Sequence, residues 1–180
     1  MEKNEKLFLN ITAEQLEELG FDRFGVIKTE DVCFSPEVRK MCEVNRCGRY
    51  GTSWACPPAI GTLEECMLRC KAFEHCAVFS KAYELEDSFD FEGMMEAHDK
   101  FAKASERLRK MLEGKHLMLS VEGCSKCGNC TYPDAPCRFP ETLTGSLEGY
   151  GIFVNQLAAS AGIPYNRDPD TVSYFGAVFF

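Results

Sequence analysis

The 180-residue sequence is short of several things that would point to familiar chemistry. It has three histidines, His75, His98 and His116, scattered along the chain. No P-loop, no G-x-G-x-x-G at a strand-to-helix turn and no nucleophile–base pair stands out, so nucleotide and acid–base chemistry have little to work with. Lys and Arg number 20 against 28 Asp and Glu, a formal charge of -8. Phosphate binding needs clustered cations, so no nucleic-acid partner is expected. The acidic excess reads as solubility. No apolar run approaches the roughly 20 residues that span a bilayer, and no membrane partner is expected. The start, M-E-K-N-E-K-L-F-L-N, lacks the apolar core of a secretory signal. The expected localisation is cytoplasmic. The length suits one domain with a sizeable core.

Cysteine, by contrast, is abundant: 11 residues, an odd count that fits poorly with a fully paired disulfide framework. Cytosolic thiols stay reduced, and clusters of them more often hold metal. The densest stretch runs from Gly123 to Pro140, G-C-S-K-C-G-N-C-T-Y-P-D-A-P-C-R-F-P. Cys124, Cys127 and Cys130 fall three apart, and Cys137 follows. Two-residue spacers let thiolates converge on a compact core, and three even spacings with a fourth cysteine near proline are the grammar of a [4Fe-4S] cluster. Zinc usually draws two ligands from each of two knuckles, so it is the second choice here. Burial as small hydrophobes fails as an account, because this polar segment has no apolar face.

The elements read as follows. Thr12 to Leu19 is a short helix with Thr12 and Gln15 forming a capping box and Gly20 ending it. Phe24 to Phe34 contains a strand. Ser35-Pro36-Glu37 starts a helix that must be short, since Cys42 to Gly61 is rich in glycine and proline. Thr62 and Glu65 open a helix whose Leu63, Cys66, Met67, Cys70 and Phe73 share one face. Cys66 and Cys70, and Cys76 at the start of the strand Ala77 to Leu85, therefore read as core residues. Phe89 to Leu112 is the longest helix, with an apolar stripe of Phe91, Met94, Met95, His98, Phe101, Ala102, Leu108, Met111 and Leu112. His98 reads as a core or boundary residue of that stripe. His116 to Val121 is a buried strand leading to Cys124, Ser146 to Ala161 a helix, and Thr171 to Phe180 a final strand. This predicts an α/β or α+β domain over residues 1–180, with a central sheet of about four strands flanked by helices and two cysteine-rich loops.

A weak repeat relates residues 24–85 to 116–180. Cys56-Pro57-Pro58 leads to Gly61-Thr62-Leu63-Glu64, and Cys137-Arg138-Phe139-Pro140 leads to Gly145-Ser146-Leu147-Glu148. The match is short, and chance remains open. If real, it pairs Cys42, Cys47 and Cys56 with the second cluster and sets a helix N-terminus, with its partial positive charge, near each site. Arg46, Arg49, Lys126 and Arg138 add positive charge, unless they are simply solvated. Trp54, Tyr50, Tyr132 and Phe139 either shield a cluster from water or pack against the sheet.

With both loops in hand, the chain resembles a family of predicted metal-binding proteins of unknown function, found mostly in anaerobic bacteria and archaea. The words that carry the resemblance are C-x4-C-G-R-Y and W-A-C-P-P-A-I-G, then G-C-x2-C-x2-C, C-R-F-P-E and S-L-E-G-Y-G-I-F-V, spread from Cys42 to Val154. The resemblance implies a metal or iron–sulfur protein and no particular reaction. The cysteines that match its words, and so the candidate ligands, are Cys42, Cys47, Cys56, Cys124, Cys127, Cys130 and Cys137. Seven is one short of two cubanes. Cys33, Cys66, Cys70 or Cys76 supplies the eighth, or the first site keeps an open iron, or there is one cluster and the other cysteines are structural or zinc-bound. Three functions follow from these choices: a redox accessory protein with a protein redox partner, an enzyme using an open iron with Arg49, Tyr50 and Arg138 positioning substrate, or a zinc-stabilised interaction module.

Overall fold

The computed structural model describes residues 6–121, 124, 126–165 and 168–180. Gly123 and Ser125 of the cysteine run lie outside the described residues, as do residues 1–5 of the start. The described chain opens with a small hairpin, β1 (Lys6–Phe8) and β2 (Ile11–Thr12), which no periodicity announces. Helix α1 (Ala13–Leu19) follows. Thr12 and Gln15 form the expected capping box, and Gly20, at φ 99°, closes the helix by donating to Glu17 O.

The central sheet has five strands in the order β3-β4-β7-β5-β6, from β3 (Arg23–Lys28), β4 (His75–Glu84), β5 (Leu117–Ser120), β6 (Gly145–Ser146) and β7 (Thr171–Phe179). All pairings are antiparallel except β5 with β6. The chain is an α/β domain with one strand more than expected. The extra strand, β6, is two residues long and too short to leave a period-2 signal. Each half pairs its strands alike, β3 with β4 and β5 with β7.

Both faces of the sheet are covered, so β4 and β7 read as continuous apolar runs at Cys76–Phe79 and Phe175–Phe179. One face packs on α1 and on α4 (Phe91–Met111), where Phe21, Phe79 and Phe101 stack with centroids 4.6 to 5.9 Å apart. The Phe79 ring lies over Gly176, where a Cβ would come within 2.3 Å of it. Ala97, Phe101, Ser105 and Leu108 form the inward line of α4. Phe91 and Met95, placed in the stripe by the sequence, lie roughly 90° or more around the helix from that line and are exposed. The other face packs on α3 (Leu63–Lys71) and α5 (Val154–Ser160) through Cys66, Cys70, Val78, Leu119, Leu157 and Phe175. Cys66, Cys70 and Cys76 are fully buried there. Burial pushes the Cys70 and Cys76 thiols well up.

The helix expected from Ser146 to Ala161 is not continuous. Ser146 ends β6, Glu148–Tyr150 forms a 3₁₀ turn, Ile152 bridges to Phe34, and only then does α5 begin. Gly151 is the break: its φ is 74°, and a Cβ there would lie 2.3 Å from Leu63 Cδ1. The expected helix N-terminus beside the second cysteine loop is therefore absent. Gly61-Thr62-Leu63-Glu64 does open α3, whose Thr62 and Glu65 form the capping box. Among the described residues, no helix is long and apolar enough to cross a membrane.

Phe101 is fully buried against three aromatic rings, including Tyr174 at 5.9 Å. Phe101→Ala is expected to cost about 3–5 kcal/mol in chemical denaturation, because it removes a fully buried ring from that aromatic cluster.

Candidate metal centres

The second cysteine loop leaves β5 and returns as β6. Cys124, Cys127, Cys130 and Cys137 line one cavity of about 20 Å³, together with Ser53, Thr131, Arg138, Phe139 and Leu143. The loop is closed by its own polar bonds. Thr131 Oγ1 donates to Pro136 O at 2.8 Å, Ala135 N to Thr131 O at 2.9 Å, and Arg138 Nη1 to Asn129 O at 3.0 Å. Lys126 Nζ bonds Glu106 on α4 at 2.9 Å, and Arg109 bonds the same carboxylate at 2.7 and 2.8 Å. The Arg109 hydrogen bond holds the Glu106 carboxyl down at about 2, so it stays charged at neutral pH. A second hollow of about 270 Å³, between α4 and the strand ends, shares Cys124 with these three charged groups.

The first loop contributes to the second site. Ser53 is on the cavity wall, and Trp54 Nε1 donates to Ala135 O at 3.0 Å while its ring meets Tyr132 edge-on at 5.0 Å. Burial raises the Cys130 thiol, but hydrogen bonds from the Tyr132, Trp54 and Thr131 backbone and the Ser53 hydroxyl outweigh it and hold the thiol below its ordinary value. N–H and O–H groups around a thiolate are the usual surroundings of a metal-bound sulfur. Nothing in the cysteine spacing announces Ser53, though it stands three residues before Cys56, just ahead of the W-A-C-P-P motif.

Cys42, Cys47 and Cys56 are also brought together, on a separate cavity of about 740 Å³. Cys42 sits in the last turn of α2 (Pro36–Glu43), which Ser35 caps as expected. Asn45, at φ 56°, turns the chain back; its N–H donates to Cys42 O and its side chain accepts from Tyr50 N at 2.9 Å. Cys56 follows the turn closed by Cys56 N to Ser53 O at 3.2 Å. Arg46, Arg49, Met41, Phe153 and Tyr165 complete much of the wall, and His98 reaches it while meeting Tyr174 edge-on.

Glu148, from the second half, lines this same cavity. Its carbonyl lies 3.7 Å from Cys42 Sγ. Glu148 keeps an exposed surface but is crowded by surrounding protein, which raises its carboxyl. Burial also raises the Cys42 thiol, Glu148 and Cys47 add to the rise, and Arg39 opposes it. Arg39 ties the site's parts together, donating to Gly61 O and Gly149 O. Arg69 donates to Ile60 O and lies over the Tyr150 ring at 5.0 Å.

Among the described residues, no three thiol, imidazole or carboxylate groups come within reach of a single metal ion. The donors instead surround two hollows. An all-thiolate set is soft and selects zinc, copper(I) or iron–sulfur clusters. The second loop's four thiols are such a set, with hydrogen-bond donors on the Cys130 sulfur. Tyr50 lies on the first loop beside Asn45, and Phe139 and Arg138 on the second cavity's wall.

Fold and site together define a small α/β protein whose cysteine thiols gather at two cavities. A family model described as predicted metal-binding protein (DUF2284) matches residues 25–180, and the chain belongs to that family. Neither the curated proteins nor the solved structures contain a match.

Ser53→Ala removes one of the groups that lower the Cys130 thiol. In metal-free protein, the pH–rate profile of Cys130 alkylation is expected to move to higher pH; an unmoved midpoint would count against the bond.

Proposed function

We propose that the chain carries two [4Fe-4S] clusters, one per cysteine loop, and acts as a cytoplasmic electron-transfer or redox accessory protein with a protein redox partner. The observation that carries this reading is the gathering of Cys124, Cys127, Cys130 and Cys137 around one hollow with hydrogen-bond donors on a sulfur. Such a cluster supplies one-electron chemistry when bound. Cys42, Cys47 and Cys56 would hold the second.

The adjacency of the two loops favours a redox role. Ser53 lines one cavity and Cys56 the other, and a single hydrogen-bonded turn joins them. Such a turn keeps its end Cα atoms within about 7 Å. Sites joined through so short a turn are neighbours in the fold, as electron transfer between them would require. Arg46, Arg49 and Arg138 put positive charge beside the thiols and would favour the reduced, more anionic state.

A second reading has one specific support. The first cavity, at about 740 Å³, is in the range of small-molecule sites and has three cysteines rather than four. That suits an enzyme whose iron keeps an open position, with Arg49 among the positioning groups. A ligand-dependent change in the visible spectrum would favour it over a carrier.

Protein purified without oxygen is expected to contain about eight irons and eight acid-labile sulfides per chain, with a broad visible absorption. About four of each would leave one loop without a cluster. Zinc with no sulfide would overturn the redox reading and leave a zinc-stabilised module. Cys127→Ala is expected to lose about half the iron and to destabilise the fold, since ligand assembly and folding are linked. Cys66→Ala should leave iron unchanged, because Cys66 is sealed in the core; iron loss there would overturn the ligand assignment.

A further inference from the structure

Resting on the two-cluster reading, we infer that Glu148 is the fourth ligand of the first site, giving it three thiolates and one carboxylate. The first motif brings three cysteines to its cavity, where the second brings four. The missing donor must come from elsewhere in the chain, from a bound molecule or from a partner. Three of the remaining cysteines, Cys66, Cys70 and Cys76, are fully buried within the apolar core. Turning any of them outward would open a cavity and break that packing.

Glu148 needs no such movement. The residue already lines the cavity shared by Cys42, Cys47 and Cys56, and its carboxylate is close enough to raise the Cys42 thiol by charge repulsion. Other polar groups reach that wall, including Ser146, Asn155 and His98; Glu148 is the carboxylate among them, and its backbone carbonyl lies 3.7 Å from Cys42 Sγ, which anchors the residue beside a candidate ligand.

The backbone that carries it is also fixed. Glu148 O accepts from Gly151 N at 2.8 Å, Ser146 Oγ accepts from Gly149 N at 2.9 Å, and Arg39 binds Gly149 O. Arg39 lies on α2, one turn before Cys42, so the same side chain sets the distance between the thiol and the carboxylate residue. The positive-φ Gly151 that interrupts the expected helix closes the 3₁₀ turn that carries Glu148. A continuous helix from Ser146 would carry Glu148 along a different line.

The chemistry is suitable. Carboxylate is a harder donor than thiolate and binds iron less firmly, so the iron it holds is the one most readily released or approached by another ligand. Glu148 thus makes the first site complete at rest and the weaker of the two.

The test uses full-length protein purified without oxygen, with iron and sulfide analysis and low-temperature electron paramagnetic resonance after mild oxidation. Glu148→Ala is expected to lose about one iron per chain and to show the signal of a three-iron cluster more strongly than the parent. Glu148→Cys is expected to keep the parental iron count and resist conversion to the three-iron form. Glu148→Gln retains the shape and, if Glu148→Ala fails to fold, is read in its place with the same expectation. Parental iron count and signal in the alanine and glutamine variants would overturn the assignment. So would iron loss in Cys33→Ala with Glu148→Ala unaffected, which would give the fourth position to Cys33. Cys42→Ala separates the two levels of the argument. If it leaves iron unchanged, there is no first cluster and the underlying reading fails as well. If it removes iron where Glu148→Ala does not, only the Glu148 assignment falls.

Discussion

The turn from Ser53 to Cys56 is the constraint on which both cysteine loops depend. Its hydrogen bond, Cys56 N to Ser53 O at 3.2 Å, is ordinary, but its two ends face different hollows. Ser53 and the Trp54 backbone hold the Cys130 sulfur, the Trp54 indole ties itself to Ala135, and Cys56 turns away to the first cavity. The loops leave strands that run in opposite directions, β3 and β5, and start at opposite ends of the sheet. The first loop must therefore cross the sheet's face to meet the second. The turn marks where that crossing ends, and Ile60 beyond it packs into the core.

Arginine does the corresponding work beneath the first cavity. Arg39 and Arg69 insert their guanidinium groups among backbone carbonyls that no helix or strand uses: Gly61, Gly149 and Ile60. Both also approach the buried Cys66 sulfur, at 3.7 and 3.1 Å. An unbonded carbonyl at such a depth would cost about 1–3 kcal/mol, so these contacts replace missing secondary structure. Guanidinium, with five donors in a planar fork, can serve several carbonyls at once in a way that lysine cannot.

Much of this was readable from the residues, and the pattern of what was not has a physical reason. Caps are local, so Thr12 with Gln15, Ser35 with Pro36, and Thr62 with Glu65 all appear where the sequence puts them. The burial of Cys66 and Cys70 followed from helical spacing alone. The interruption near Gly151 was missed because Leu147, Tyr150, Val154 and Leu157 keep a helical period; a 3₁₀ turn followed by a helix buries the same residues. The order of the strands depends on pairings far apart in the chain, which no local window contains. Glu148 was hidden for a similar reason. It is one of 28 acidic residues, and only the fold brings it to the cysteines.

The two hollows differ in how much of the chain must exist before they do. The thiols of the second come from positions 124–137, a span that can close on itself apart from Ser53 and Trp54. The first joins Cys42 to Glu148 across 106 positions, with β4, α4, β5 and β7 arranged between and around them. Loop closure over that distance is paid late in folding, after the local elements are formed. During synthesis, then, Cys42, Cys47 and Cys56 emerge as bare thiols long before their cavity has a far wall. Order of assembly is built into the topology: the cavity of the first loop is completed only when the chain has returned through Gly149, while its Ser53 and Trp54 must already be in place for the second loop to close.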